Sequence, residues 1–250
     1  MSLTALSDFS LSVAQASGVS EEEMISEAVI ARTFDAAALN ATQLGGVRQV
    51  VAVGHGGDTR CYRLEWPPGV RIFELAPFDA VAHAELVFAR AGVKCAKGTL
   101  VRRVAADVSG PAAKGVGWAE RLEQAGFSGN LPSIWTLQGL HLLSKDALAA
   151  LLLEIGDCAA LKSELVGEVD MSTVAQLGRA LADAGFNLQQ WATLHDVGDQ
   201  LSRSLGSDAQ QRAVFSAEKT RMTGIQQSIW SAELERAEYE GGEVGFDDAP

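Results

Sequence analysis

The chain has 250 residues, of which 47% are hydrophobic and 21% charged, so it is long enough to bury the core of one ordinary globular domain. This composition excludes wholesale disorder. The formal net charge of −12 argues against nucleic acid or an anionic membrane as a partner, because those surfaces attract basic proteins.

The three cysteines, Cys61, Cys95 and Cys158, lie far apart and form no C-x-x-C pair. This spacing argues against a zinc site and a disulfide framework, so we expect no metal and a reducing compartment. Residues 1–19 lack the basic and long apolar regions of a secretory signal. We therefore expect a cytoplasmic protein, with an organelle left open. The most apolar run, residues 147–153, is too short for a membrane span.

Helical and strand patterns alternate along the chain. Ser20 and Glu23 form a capping box that opens a helix predicted to reach about Ala41. Short apolar and β-branched runs predict strands at residues 49–53, 70–75, 100–106, 133–137, 158–165 and 188–194. Amphipathic patterns predict helices at residues 78–91, 119–126, 144–155 and 173–184. This alternation predicts an α/β fold, a doubly wound and mainly parallel sheet with helices on both faces.

The last part of the chain has a different pattern. Residues 208–240 predict one long helix, whose apolar positions are Val214, Met222, Ile225, Ile229 and Leu234. We expect this helix either to pack on the sheet or to bind a protein partner. The glycine-rich and acidic end of the chain is predicted to be a disordered tail. The predicted division is an α/β domain at 1–206 that includes the N-terminal helix, a helical extension at 207–240 and the tail at 241–250.

A glycine-rich turn follows the first predicted strand and contains Gly54, Gly56 and Asp58. In doubly wound sheets, ligands bind beyond the carboxyl ends of the strands, near the reversal of strand order. Glycines there let the backbone approach a ligand closely. Glu74 lies about 20 residues further on, where nucleotide-binding folds place an acid for ribose hydroxyls. Asp107 follows the third strand, so the layout predicts a site for an adenosine-bearing cofactor.

Two classes of cofactor compete for such a loop. A dinucleotide site uses G-x-G-x-x-G, and the third glycine position, counted from Gly54, holds Thr59 here. The carboxylate of Asp58 would repel a pyrophosphate, whereas it would tolerate and orient the cationic end of S-adenosylmethionine. The loop therefore favours the methyl donor over NAD.

The stretch QVVAVGHGGDTRCYRLEWPPGVRIFEL, at residues 49–75, resembles the core of the leucine carboxyl methyltransferase family of class I S-adenosylmethionine-dependent methyltransferases. Bacterial members carry a strand, then G-x-G-x-D-T-R-x-Y-R-L, a proline-rich turn and F-E-V-D. The resemblance extends upstream to Ala31-Arg32-Thr33 and downstream to V-A-A-D at 104–107 and W-T-L-Q-G-L at 135–140. It covers roughly residues 27–206, and the D-T-R-x-Y-R-L string is its most specific part.

The resemblance implies roles for individual residues. Arg32 would pair with the methionyl carboxylate of the cofactor. The loop at Gly54 would lie beneath the amino-acid portion. Asp107 and Val108 would contact the adenine through a carboxylate and a backbone N–H.

Two positions depart from the family pattern, and both departures remove a negative charge. The ribose-binding acid of F-E-V-D falls on Ala76, and the glutamate of the family's L-A-E-G-L segment falls on Gln138. A hydrogen bond to a charged group is worth ~1.5–3 kcal/mol, so the change at Ala76 alone would weaken cofactor binding by about one to two decades. Glu74 would compensate if its side chain faced the ligand, and Gln138 keeps its capacity for hydrogen bonding.

The acceptor pocket is also predicted to be altered or partly open. Only residues 166–172 separate the predicted fifth strand from the next helix, where the family has a sizeable segment. Leu205-Gly206 stands where the family has a late Y-G-R segment. His141, just beyond the fourth strand, is the candidate general base, although a structural histidine is the commoner case. A carboxylate acceptor needs no base, whereas a hydroxyl does.

These observations predict an S-adenosylmethionine-dependent O-methyltransferase acting on a carboxylate or hydroxyl of a small molecule or a peptide end. The alternative is a weakened or inactive descendant of the same fold that serves as a binding or assembly subunit. Ala76, Gln138 and the predicted C-terminal helix motivate that alternative.

Overall fold

The strands form a sheet in the computed structural model, which describes residues 20–54, 56–108, 117–140 and 143–241. Over those residues the sheet has seven strands, in the order β3-β2-β1-β4-β5-β7-β6. The strands are β1 (Gln49–Val53), β2 (Arg71–Ala76), β3 (Leu100–Ala105), β4 (Ser133–Leu137), β5 (Glu164–Asp170), β6 (Phe186–Thr193) and β7 (Arg212–Lys219). The helices are α1 (Glu21–Leu39), α2 (Arg60–Arg63), α3 (Phe78–Ala91), α4 (Trp118–Gln124), α5 (Lys145–Cys158), α6 (Met171–Asp183), α7 (Leu194–Gln200) and α8 (Gly224–Gly241). A π-helical turn, Asn40–Leu44, continues α1, and a 3-10 turn, Ser207–Gln211, precedes β7.

The strand order reverses at the centre of the sheet. β1 pairs in parallel with β2 on one side, Val51 opposite Phe73, and with β4 on the other, Val51 opposite Trp135. β7 is antiparallel to both β5 and β6. The carboxyl ends of β1 and β4 therefore flank the switch point, where sheets of this kind bind ligands.

Both faces of the sheet are buried, which explains the uninterrupted apolar runs in the sequence. Val51 and Val53 of β1 belong to a cluster that packs beneath α4, α5 and α6. Val50 belongs to a second cluster on the opposite face, together with Ile30 and Phe34 of α1. A strand buried on both faces has no polar side to alternate with, so its sequence is continuously apolar.

The N-terminal helix is confirmed. Ser20 is its N-cap, and the backbone N–H of Glu23 donates to the Ser20 hydroxyl at 3.2 Å. This bond satisfies one of the free N–H groups of the first turn.

The prediction for the fifth strand was wrong in its position. Residues 158–163 are not strand, because α5 continues to Cys158. Ala159 is the C-cap of this helix and is fully buried. Lys162 then adopts a φ of +66°, which turns the chain, and β5 begins only at Glu164. The alanines and Leu161 made the turn look like part of a strand.

The prediction of one long helix at 208–240 was wrong over its first half. Residues Arg212–Lys219 form β7, which belongs to the sheet, so the α/β domain extends past the predicted boundary at 206. The side chains alternate between faces, with Phe215 in the first cluster and Val214 in the second. The polar residues around them give this stretch an apolar spacing that resembles that of a helix. The helix is confined to α8, which includes Gly241, the first residue of the tail predicted at 241–250. The other residues of that predicted tail lie outside the described residues.

No helix in the described ranges is long and apolar enough to cross a membrane. The same part of the chain contains no group of three histidine, cysteine or acidic side chains arranged to hold a metal ion.

Lys219, at the end of β7, is 1% exposed. Its ammonium donates to the carbonyls of Gly156, at 2.5 Å, and Ala184, at 3.1 Å, at the ends of α5 and α6. The negative ends of two helix dipoles thus meet one buried cation. Burial lowers the pKa of Lys219 from 10.5 to about 8.

We predict a specific pH dependence from Lys219. Between pH 8 and 10.5 the folded protein binds fewer protons at this residue than the unfolded chain does. The free energy of unfolding of the wild type should therefore rise with pH, by about 3 kcal/mol across this range, relative to Lys219→Met. Urea unfolding of both proteins at several pH values measures the difference. Parallel pH profiles would contradict the prediction.

Candidate cofactor site

The glycine loop after β1 is held in a conformation that requires glycine at two positions. Gly56 has a φ of +83° and Gly57 a φ of +75°, in the left-handed region that side chains disfavour. Gly56 also packs against α3, since a Cβ there would come within 2.9 Å of the Cβ of Ala80. His55 lies outside the described residues.

Gly54 differs from these two glycines. Its φ is not positive, and a Cβ added there would meet only Gln138, whose Cβ would lie at an ordinary 3.5 Å. Neither backbone strain nor close packing within the described residues therefore demands glycine at 54. The missing side chain leaves the backbone uncovered where the ends of β1 and β4 meet.

Glu74, in β2, pins this loop to the sheet. The backbone N–H of Asp58 donates to Oε1 of Glu74 at 2.8 Å, and Nε of Arg103 donates to Oε2 at 3.0 Å. Glu74 is 3% exposed, and burial raises the pKa of its carboxyl group. Because both oxygens already accept bonds from the protein, the geometry is that of a loop anchor. Ribose binding by Glu74 stays a prediction.

Arg103, in β3, extends this anchor to α2 and α3. Its Nη2 donates to the hydroxyl of Tyr62 at 2.7 Å, and its guanidinium lies 5.0 Å from the ring centre of Phe88. Burial raises the pKa of Tyr62 to about 12, so the phenol stays protonated. Tyr62 and Arg103 therefore tie the helix after the loop to the sheet.

Arg60 connects the loop to the end of β4, and it is only 5% exposed. Its Nη1 donates to Oγ1 of Thr136 at 2.6 Å, and its Nη2 lies 3.5 Å from Oε1 of Gln138. Its Nε is 3.2 Å from Oδ2 of Asp58 and 3.8 Å from Oδ1 of Asp35, in α1.

No role for Arg60 was predicted from the sequence. The sequence nevertheless contained a signal, because Arg60 follows Asp58 by two residues within the D-T-R string. A buried arginine needs acidic or carbonyl partners, and Asp58 is such a partner.

A second polar group lies at the ends of β4 and β5. Nε2 of Gln138 donates to Oε2 of Glu27 at 2.9 Å, and Arg212 donates to Oε1 of Glu27 at 2.8 Å. Arg212 also forms a short ion pair with Glu168, and the Gly139 N–H donates to Glu168 Oε1 at 2.7 Å. Burial alone would lower the pKa of Arg212, but the charges and hydrogen bonds of Glu168 and Glu27 together outweigh burial and raise that pKa.

The structure brings some of the predicted residues to one edge and leaves others apart. Gly54, Asp58 and Gln138 lie together at the ends of β1 and β4. The Ala106 N–H donates to the Ala76 carbonyl at 2.9 Å, so the segment carrying Asp107 starts beside the end of β2.

Asp107 is exposed, and Val108 is partly buried against the first apolar cluster. Their contacts to adenine stay a prediction. His141 lies outside the described residues.

Arg32 is not part of this arrangement. It is exposed on α1, and its side chain forms no hydrogen bond or ion pair with the described residues. Glu27, five positions earlier on the same helix, reaches the site instead. Binding of a methionyl carboxylate by Arg32 stays a prediction.

The sheet order, its parallel core and the loop after β1 define a Rossmann-like fold of the class I methyltransferase type. One solved structure of this type is a Burkholderia thailandensis 1,6-didemethyltoxoflavin-N1-methyltransferase with bound 1,6-didemethyltoxoflavin and S-adenosylhomocysteine. It aligns with a TM-score of 0.51 over 87% of this chain and 89% of that chain, at 18% identity. The sequence model of the leucine carboxyl methyltransferase family matches residues 3–156, more than half of the chain. The chain belongs to that family, which confirms the resemblance found in its sequence.

Two curated relatives extend this result. O-methyltransferase 1, chloroplastic, of Oryza sativa subsp. japonica is 30% identical over 81% of this chain and 58% of its own length. A Saccharopolyspora erythraea protein, named as an S-adenosyl-L-methionine-dependent methyltransferase, is 33% identical over 62% of this chain and 53% of its own length. The chain thus spans little more than half the length of these relatives. The expected cofactor, S-adenosylmethionine, is confirmed as that of the family's named bacterial members.

Proposed function

We propose that this chain binds S-adenosylmethionine at the switch point beside Gly54 and transfers its methyl group to an oxygen of a small molecule or a peptide end. The observation that carries the proposal is Gly54 itself. A glycine is required at this position neither by a positive φ nor by a packing clash among the described residues, and it leaves the backbone uncovered at the switch point of the sheet. A ligand lying against the backbone accounts for it.

Residues from three strand ends would contact different parts of the cofactor. The loop from Gly54 to Asp58 would lie beneath the amino-acid portion, and Gln138 would border it from β4. Asp107 and Val108 would hold the adenine. Ala76 is the exception, because a buried methyl group offers the ribose hydroxyls no hydrogen bond.

Methyl transfer requires mainly that the protein align the methyl donor with the acceptor. The bound cofactor supplies an activated methyl group, whose transfer is an in-line displacement. Holding donor and acceptor in line supplies ~7–11 kcal/mol of the barrier. The loop and the end of β4 are rigidly cross-linked through Arg60, which suits that task.

Among the described residues, the acidic side chains suit a carboxylate acceptor better than a hydroxyl. β5 ends at Asp170 and α6 begins at Met171, so no segment covers the acceptor side between them. Glu27 and Glu168, the carboxylates at the ends of β4 and β5, are both paired with Arg212 and are not placed to remove a proton. A carboxylate needs no such base.

A second function is favoured by two observations. Ala76 leaves the end of β2 without a polar side chain, which weakens cofactor binding. α8 exposes Ile225, Ile229 and Trp230 to solvent, each by more than half of its surface. A weakened or inactive methyltransferase that acts as a binding or assembly subunit would have both features. In that case the purified chain brings down a protein partner and methylates no acceptor.

Isothermal titration with S-adenosylhomocysteine tests the proposal. We expect binding in the micromolar to submillimolar range, and the absence of heat at millimolar ligand would remove the proposed function. Binding without methyl transfer to any carboxylate or hydroxyl acceptor would favour the second function. The reducing compartment stays a prediction; the rice relative is named as chloroplastic.

Restoring the missing ribose acid should strengthen cofactor binding. We predict that Ala76→Asp tightens S-adenosylhomocysteine binding about tenfold to a hundredfold, because a charged hydrogen bond is worth ~1.5–3 kcal/mol. Ala76→Asn has nearly the same shape without the charge and should give a smaller gain. Titration of both variants, after circular dichroism shows that they fold, makes the comparison. Unchanged or weaker binding by a folded Ala76→Asp would place the ribose elsewhere.

A further inference from the structure

Glu27 is a charged residue that the family resemblance leaves without a role. It lies in the second turn of α1, and its carboxylate accepts one bond from Gln138, at 2.9 Å, and one from Arg212, at 2.8 Å. The two contacts hold the carboxylate beside Gln138, the residue that follows β4. The side chain nevertheless remains 40% exposed, so it is not sealed into the core.

The carboxylate of Glu27 compensates for the loss of negative charge at residue 138. The family has a glutamate where this chain has Gln138. Here the amide of Gln138 donates to Glu27, so a carboxylate stands one hydrogen bond away from the position that lost one. The negative charge is present again at the same edge of the sheet, but it comes from α1.

The carboxylate of Glu27 has capacity for a further partner. An ionised carboxylate offers about four acceptor positions, and the two bonds from Gln138 and Arg212 occupy one on each oxygen. Arg212 forms ion pairs with both Glu27 and Glu168, so its single positive charge does not neutralise both carboxylates. A cationic ligand group entering from the solvent side would therefore meet an acceptor that is already oriented.

We infer that Glu27 recognises the α-ammonium group at the methionyl end of S-adenosylmethionine and supplies the negative charge that the exchange at Gln138 removes. The inference rests on the proposed function. It adds a cofactor-binding residue outside the family's motif segments. It also explains how the site retains a negative charge despite the exchange at 138.

Titration of two ligands separates recognition from mere structural support. S-adenosylhomocysteine carries the α-ammonium group, whereas 5′-methylthioadenosine has the same nucleoside without the amino-acid end. We expect Glu27→Gln to weaken S-adenosylhomocysteine binding about tenfold or more. Binding of 5′-methylthioadenosine should stay within about twofold of the wild type. The control is Glu21→Gln, which removes the same charge from an exposed position in the first turn of α1 and should change neither affinity.

A charge exchange completes the test. The double variant Glu27→Gln/Gln138→Glu moves the carboxylate to the family's position and keeps an amide–carboxylate pair, so we expect it to regain most of the lost affinity. Equal S-adenosylhomocysteine affinity of Glu27→Gln and wild type would overturn the inference alone. Equal weakening of both ligands would also overturn it, because the role would then be structural. A wild type that binds neither ligand would overturn the proposed function, and the inference with it.

Discussion

Replacing Arg60 by methionine is expected to lower the free energy of unfolding by about 3–5 kcal/mol, because it removes one partner from buried ion pairs. Asp58 and Asp35 would lose the guanidinium that lies 3.2 and 3.8 Å from their carboxylates. Thr136, which is fully buried, would lose its donor as well. Urea unfolding monitored by tryptophan fluorescence measures the change.

Arg63→Met is the matched control for Arg60→Met. Arg63 forms two hydrogen bonds with the same acid, Asp35, and the exchange removes the same charge. Its side chain is 25% exposed, whereas that of Arg60 is 6% exposed. Asp35 is buried and would lose both hydrogen bonds, but the charge of Arg60 would remain 3.8 Å away, so we expect a smaller loss of about 1–3 kcal/mol. Equal losses in the two variants would show that burial of Arg60 is not what makes it important.

Replacing Glu74 by alanine should destabilise the protein by about 3–5 kcal/mol for a related reason. Arg103, whose side chain is 12% exposed, would keep a charge without its carboxylate. The N–H of Asp58 would lose its acceptor at the same time, and the glycine loop would no longer be tied to β2. We therefore expect the variant to lose affinity for S-adenosylhomocysteine as well as stability.

A double-mutant cycle isolates the pair formed by Glu74 and Arg103. Glu74→Ala/Arg103→Met removes both charges and should be less destabilised than the sum of the single variants, by about 0.5–3 kcal/mol. Strict additivity would show that the two side chains do not depend on each other. The loop would then be held mainly by the bond between Asp58 and Glu74.

The parts of the fold that were predicted correctly are those with strong local signals. β1 and β4 are continuous apolar runs, and both strands have the predicted bounds. The hydroxyl of Ser20 caps α1 through Glu23, three residues on, and this local contact was visible in the sequence. β7 was missed because a strand inserted late between two earlier ones is specified by its neighbours rather than by its own pattern.

The candidate site was likewise predictable only where its signals are local in sequence. The glycines at 54, 56 and 57 are adjacent in sequence, so their loop could be predicted. The polar network could not, because its partners are distant: Glu27 and Gln138 are 111 residues apart, and Arg60 and Thr136 are 76 apart. Only the sheet order brings these residues to one edge. Arg32 was expected at the site from the family pattern, but it is exposed on α1. Glu27, on the same helix, reaches the site although no role was predicted for it.

The placement of β7 has a consequence for how the protein is made. β6 joins the sheet through β7, and β7 is synthesised after it. During translation, residues 186–193 must wait without strand partners until the following 26 residues have left the ribosome. Folding of this half of the sheet is therefore delayed until residues 212–219 have been made, when these contacts distant in sequence can first form. A nascent chain stalled before residue 212 would lack two strands and expose the edge of β5, which makes it a natural client for chaperones.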